Sequence, residues 1–226
     1  MQPWITLSRV ATAEGALELR QRGPTEMLIV IDGRVLMTSK ERRSEEALAT
    51  LACAPLAKRR APRVLIGGLG MAYTLRAALD ALPADARVTV AELTPEVEAW
   101  CRGPLAPLTD AAVADPRVRV VIGDVARVIA SAPAASYDAI LLDLYEGPHA
   151  ATQRADDPFY GPAALARSRT ALAPGGVLTV WSEEADDAFA RRFARAGFTV
   201  TTHRLGSSRT HVVYCGGVKS SGAPTR

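Results

Sequence analysis

From residue 63 onward the chain alternates between short runs of Val, Ile and Leu and longer amphipathic stretches, and this limits the possible folds more than any other feature. "RVLIGG", "RVTVAEL", "RVRVVIGD", "YDAILLDL" and "VLTVWS" read as strands. Between and after them, "AYTLRAALDAL", "TPEVEAWCRGPL", "VARVIASA", "PFYGPAALARSRTAL" and "EEADDAFARRFARAG" read as helices. Strand–helix alternation of this kind predicts a mostly parallel sheet with helices on both faces. The strands are nearly continuous in apolar residues, as burial on both faces requires. Thr94 is expected to cap the second of these helices, with Pro95 at its first position. Asp156-Asp157 is expected to cap the fourth. The chain closes differently: "FTVTTHRL" and "RTHVVYCGG", joined by "GSS", predict a terminal antiparallel hairpin, with His203 and His211 facing each other as a structural pair.

Ahead of the alternating region, residues 16–38 read as β structure. Asp32-Gly33 between "LIVI" and "RVLM" marks a hairpin, because both turn positions tolerate positive φ. A helix is expected over 40–58, with Ala47, Leu48, Leu51, Ala52 and Leu56 along one side. Residues 1–50 are read as a small N-terminal β-hairpin unit, 51–218 as a Rossmann-like nucleoside-binding catalytic domain, and 219–226 as a disordered tail. Apolar residues make up 48% of the 226, enough for a sizeable core, and the net charge of +3 is scattered. Nucleic acid is therefore not expected as a partner. "KRRAPR" (58–63) is read as helix C-terminal charge plus linker. Cys53, Cys101 and Cys215 lack metal-ligand or disulfide spacing and read as small core residues of a reduced, cytoplasmic protein. No run has the length or character of a signal peptide or membrane span, so no membrane partner is expected and no metal is assigned.

The turn "GGLGM" is the chemical centre of the sequence. In an open parallel sheet, ligands sit beyond the carboxyl ends of the strands near the switch point, where glycines allow close backbone approach and the next helix offers free N–H groups. Gly67, Gly68, Leu69, Gly70 and Met71 occupy that place after the first strand. Glu92, followed by Leu93, ends the second strand, 22 residues beyond Gly70, where a carboxylate can accept the hydroxyls of a ribose. Gly123, Asp124 and Val125 end the third, where Asp124 can reach an adenine amino group or cap a helix. Asp143 and Leu144 end the fourth. A dinucleotide turn needs a third glycine. Tyr73 stands there, which points instead to S-adenosylmethionine or a relative.

These residues, with "VIDGRVLMTS", "DPRVRVVIGD" and the "YDAILLD…GP…FY…L.PGG" series, resemble the spermidine synthase family of aminopropyltransferases, built on the class I methyltransferase fold. The resemblance covers roughly residues 28–182. It implies a doubly wound, mostly parallel sheet with a C-terminal antiparallel hairpin, a small N-terminal β-hairpin unit, a bound thionucleoside and a homodimer formed partly through the N-terminal strands. By position it implies that Glu92 holds the ribose, Asp124 the adenine, and that Asp143 faces the reacting amine. Glu146 would take the family's second acidic position, making Asp143 and Glu146 the catalytic candidates. Tyr145, His149, Phe159 and Tyr160 are candidates for contact with the acceptor, and 146–161 reads as a lid or a surface connection.

The sequence departs from the family where an aspartate usually follows the glycines; here it is Met71, read as an apolar wall. Leu36 replaces a glutamine after the hairpin. The family's tyrosine-histidine-glutamate run has become "SEE" or "EEA", with Glu46 as its possible survivor. An ammonium enclosed without a counter-charge is costly, whereas S-adenosylmethionine also carries a carboxylate. The expectation is therefore methyl transfer from S-adenosylmethionine to a small-molecule acceptor. Aminopropyl transfer from decarboxylated S-adenosylmethionine to a diamine is the alternative, and a thionucleoside-binding protein without catalysis is a further one.

Overall fold

The computed structural model describes residues 2–145, 147–149, 154–205 and 211–219. Eleven strands form two sheets among them. An antiparallel sheet in the order β1-β2-β3-β4 comprises β1 (Ile5–Thr12), β2 (Gly15–Arg22), β3 (Glu26–Ile31) and β4 (Arg34–Thr38). Asp32 (φ 44°) and Gly33 (φ 83°) make the β3–β4 turn. The Asp32 side chain also accepts from the Ala16 N–H at 2.8 Å, tying the turn to β2. β1 was not anticipated. Its apolar alternation fails midway, because the pairing with β2 shifts register between Thr6 and Ser8, and Ile5 and Leu7 lie exposed.

The second sheet has seven strands: β5 (Arg63–Gly67), β6 (Arg87–Glu92), β7 (Val118–Ile122), β8 (Tyr137–Leu142), β9 (Leu172–Ser182), β10 (Thr199–Leu205) and β11 (His211–Gly217). Their order is β10-β11-β9-β8-β5-β6-β7, parallel from β9 through β7 and antiparallel at β11 and β10. The first strand of the parallel set, β5, thus lies between β6 and β8, and the chain runs outward from it in both directions. That is a topological switch point, where the carboxyl ends of the strands open a crevice.

Among the described residues six α-helices accompany this sheet: α1 (Arg43–Cys53), α2 (Tyr73–Ala81), α3 (Pro95–Arg102), α4 (Val125–Ser131), α5 (Pro162–Ala171) and α6 (Asp187–Arg195). Alternate residues of each central strand go to opposite faces. Val64 and Ile66 join a larger core with Leu48, Leu75 and Trp100. Leu65, between them, joins a second core with Ile140, Phe189 and Tyr214. Leu17, Leu19, Met27 and Ile29 of the N-terminal sheet belong to the larger core, so that sheet is packed onto the main one.

Several local expectations are corrected. Helix α1 ends at Cys53 and passes through a short 3-10 turn (Ala54–Leu56). The basic stretch after it is more than a linker: Arg59 Nη2 lies 2.8 Å from buried Asp138, whose other oxygen accepts the Arg63 N–H at 2.7 Å. The Thr94 side chain makes no capping bond. Asp157 does not cap α5, which starts from Gly161; its carboxylate accepts the N–H groups of Phe159 and Tyr160, closing a turn ahead of the helix. His203 lies across from Val213, and His211 across from Leu205, so the two histidines are not a facing pair. The "GSS" turn lies outside the described residues.

Candidate active site

The carboxyl ends of β7, β6, β5 and β8 form one continuous row joined by backbone hydrogen bonds. Gly123 N–H donates to the Glu92 carbonyl at 2.8 Å, Gly68 N–H to the Ala91 carbonyl at 2.9 Å, and Asp143 N–H to the Gly67 carbonyl at 2.9 Å. The sheet order therefore places the three acids read from the sequence on adjacent strand tips, with the glycine turn between Glu92 and Asp143. Gly68 has φ +87°, and a side chain on it would come within 2.2 Å of the Asp143 carbonyl oxygen. The glycine is needed for the two strand tips to meet at all.

Glu92 is buried, and its carboxylate is held from both sides. Leu69 N–H donates to Oε2 and Thr94 N–H to Oε1, each at 2.9 Å. Burial pushes its pKa upward, against the pull of the backbone N–H groups of Thr94, Leu69 and Leu93. A carboxylate has about four acceptor positions, so two amides leave room for two further donors such as ribose hydroxyls. Leu93, next in the chain, and Ile122, the register partner of Glu92 on β7, are exposed apolar side chains beside this position. Buried acid and exposed apolar surface together fit a nucleoside. Asp124 Oδ1 accepts the Ala126 N–H at 2.8 Å and caps α4, so one of its oxygens is already engaged. Val125 is core.

Met71 does not line the cleft. Gly70 (φ 51°) and Ala72 (φ 64°) bracket it in left-handed backbone, and its side chain is completely buried in the larger core. The apolar-wall reading is therefore corrected. What covers the turn is Met37 of β4, whose sulfur lies where a side chain on Gly70 would be. The N-terminal sheet thus closes over the glycines. From below, buried Cys101 of α3 donates its S–H to the Gly70 carbonyl at 3.3 Å.

At the other end of the row, Asp143 Oδ2 accepts the hydroxyl of Thr74, from the first turn of α2, at 2.5 Å. The same hydroxyl oxygen is 3.5 Å from the Glu45 carbonyl in α1. Burial first, and then the negative charge of Glu45, push the Asp143 carboxyl up to about 7, although Thr74 opposes the shift. Glu45, which sequence reasoning passed over, is thus the acid whose charge bears on Asp143. Glu46 instead pairs with Arg42 at 3.0 Å and lines an outer groove of about 400 Å³ between α1 and α2. Helical geometry separates neighbouring residues by about 100°, so only one of two adjacent glutamates can face the cleft. A second groove, of about 840 Å³ beside α5 and α6, is lined by Arg191, Arg192 and Arg195. Both grooves are lined by residues away from the strand tips.

Beyond Asp143, Leu144 is half-buried and Tyr145 is exposed beneath the Arg34 guanidinium, 4.9 Å from its ring centre. His149 is half-buried. Phe159 is half-buried and Tyr160 fully buried, its ring edge-on to Phe189 at 5.8 Å. Glu146 and much of the lid segment lie outside the described residues. Among the described residues no cluster of His, Cys, Asp or Glu could hold a metal ion, and no helix is long and apolar enough to cross a membrane.

A seven-stranded sheet of this order, with acids on successive strand tips around a glycine turn, defines the class I methyltransferase architecture. Comparison with known proteins narrows the class. The fold is that of spermidine synthase: the chain superimposes on a spermidine synthase solved in complex with the transition state analogue AdoDATO (TM-score 0.74, 18% identity) over 94% of its own length and 72% of that chain. The spermidine synthase of Thermotoga maritima matches equally (TM-score 0.74, 19% identity, the same coverage). A probable spermidine synthase from Corynebacterium glutamicum ATCC 13032 follows (TM-score 0.64, 20% identity, 94% and 79% covered). In sequence the chain is 32% identical over 217 residues to polyamine aminopropyltransferase 2 of Streptomyces coelicolor, covering 89% of this chain and 37% of that protein. The chain therefore spans less than two-fifths of that relative's length. No family model matches. The chain has a spermidine synthase-like fold of the methyltransferase type and is similar in sequence to that aminopropyltransferase.

Proposed function

We propose that this chain is a transferase that moves the aminopropyl group of decarboxylated S-adenosylmethionine onto the amine of a small-molecule acceptor. The observation that carries the reading is the pair of acids at one end of the row: Asp143, bonded to the Thr74 hydroxyl, and Glu45, whose main-chain carbonyl lies 3.5 Å from that hydroxyl and whose negative charge acts on Asp143. Two carboxyl groups supply the counter-charge that cationic amines require on leaving water. They offer it where Met71 cannot, and so remove the ground for preferring methyl transfer. The Streptomyces relative's name, polyamine aminopropyltransferase 2, and the AdoDATO complex of the solved relative support the same choice.

In this reading Glu92 holds the ribose, Leu93 and Ile122 flank the adenine, and the sulfonium chain runs past Gly68 and Gly70 toward Asp143. A sulfonium is already activated, so rate comes mainly from alignment and exclusion of water. The acceptor enters as an ammonium and gives a proton to Asp143, whose raised pKa suits that exchange near neutrality. The free amine nitrogen attacks the carbon attached to sulfur. The new C–N bond forms as the C–S bond breaks, its electrons stay on sulfur, and methylthioadenosine leaves. A homodimer through the N-terminal strands is part of the proposal, supported by the exposed Ile5 and Leu7 of β1. The deciding experiment offers both donors with a panel of diamines. Methylthioadenosine as product supports the reading; S-adenosylhomocysteine as the only nucleoside product returns it to methyl transfer.

A further inference from the structure

The antiparallel strand β11 reaches the acid pair through a side-chain chain that the proposed chemistry above does not use. Ser44, buried in the first turn of α1, donates its hydroxyl to Glu45 Oε2 at 2.7 Å. His211, the first residue of β11, brings Nδ1 to 3.1 Å from the same Ser44 oxygen. A serine hydroxyl has one hydrogen, and it is committed to the carboxylate, so the contact requires His211 to carry the hydrogen on Nδ1 and donate it. The ring is held from its side by Trp181 at the end of β9, with centres 5.1 Å apart and planes at 55°. The result is a directed sequence of donors, imidazole to hydroxyl to carboxylate, in which each bond polarises the next.

We infer that His211 is a positioning residue: through Ser44 it fixes the Glu45 carboxylate at the first turn of α1 and so sets the affinity for the acceptor amine. The inference rests on the reading that this acid pair receives the acceptor. It gives the terminal hairpin a part in the site, since β11 carries His211 to the first turn of α1, 167 residues away in sequence.

The test uses His211→Asn, which keeps a donor near the Nδ1 position, and His211→Phe, which keeps a ring against Trp181 but no donor. Ser44→Ala and the double variant H211F/S44A complete a cycle. The measurements are calorimetric binding of 1,4-diaminobutane with methylthioadenosine present, binding of methylthioadenosine alone, KM and kcat for the amine, and thermal melting. His211→Phe is expected to weaken the diamine by about three- to tenfold, the value of one hydrogen bond, with methylthioadenosine affinity unchanged. His211→Asn should recover most of the loss, and Ser44→Ala should add nothing to H211F, because both break the same sequence of bonds. Diamine binding to H211F equal to wild type, equal impairment of the Asn and Phe variants, or additive losses would overturn the inference. Failure of the wild-type protein to bind the diamine while it binds methylthioadenosine would remove the functional reading itself, a different and separable result.

Discussion

At the Glu92 end of the row, the acid is held by backbone: two amides, both within one crossover of the strand that carries it. At the Asp143 end, the acid is held by the Thr74 side chain of α2, and the neighbouring Glu45 of α1 is held by Ser44, with His211 of β11 standing behind it. The first arrangement is rigid and local, and suits a part of the ligand that never changes. The second depends on the packing of distant segments, and its residues can vary one at a time. A protein of this architecture can therefore keep its nucleoside while its acceptor changes.

The largest expected effect separates chemistry from binding. Asp143→Asn should lower kcat by about 10²- to 10⁴-fold, the usual range for a lost general base, and leave methylthioadenosine affinity within about tenfold. Rapid-quench turnover and calorimetry read the two quantities. Collapse of nucleoside affinity instead would erase the division between the two ends.

Glu92→Gln tests the other end. The amide has one carbonyl oxygen where the carboxylate has two, so either the Leu69 or the Thr94 N–H loses its acceptor. The expected result is nucleoside binding weaker by about ten- to a hundredfold, equivalent to roughly 1–3 kcal/mol for an unsatisfied buried donor, with kcat at saturation far less affected.

A third prediction concerns pH. The Asp143 carboxyl is pushed from 3.8 up to about 7, so the folded state binds this proton more tightly than the unfolded chain. Its contribution to stability is fully present below about pH 4 and is lost as pH rises through about 7. The difference in unfolding free energy between wild type and Asp143→Asn should therefore decline across that window in denaturant titrations. Turnover should rise over the same range, because only the carboxylate accepts a proton. Glu45→Gln removes the neighbouring negative charge and should move the acidic limb of the rate profile downward. An unmoved limb would mean that the Glu45 charge does not bear on Asp143.

The same contrast decides what could be read from the sequence. The strand–helix alternation, the glycine turn and the acids at Glu92, Asp124 and Asp143 are local patterns, so the mostly parallel sheet and the acids at its strand ends followed from them. Thr74, Ser44, Glu45 and His211 carry no such mark. Each lies in or beside an ordinary element, and only the packing of α1 against α2 and across β9 and β11 of the sheet unites them. The choice of Glu46 over Glu45 shows the limit: adjacent glutamates on one helix differ only in direction, and direction comes from tertiary packing. Met71 is the converse case, since a position chosen correctly beside the glycines says nothing of a side chain that left-handed neighbours turn inward. β1 went unread because a register shift breaks its alternation.

Asp124 gives the smallest and finest test, because two roles share one carboxylate. Oδ1 caps α4 through the Ala126 N–H, which alone would account for an aspartate at this strand end. If the second oxygen also takes the adenine amino group, the roles can be parted. Serine is as good a cap as aspartate, so Asp124→Ser should leave stability within about 0.5 kcal/mol. It lacks the second oxygen, and methylthioadenosine should then bind about two- to tenfold more weakly, as for one ordinary hydrogen bond. Unchanged melting together with unchanged affinity would leave Asp124 a helix cap alone, and the local, backbone-held end of the site would then begin at Glu92.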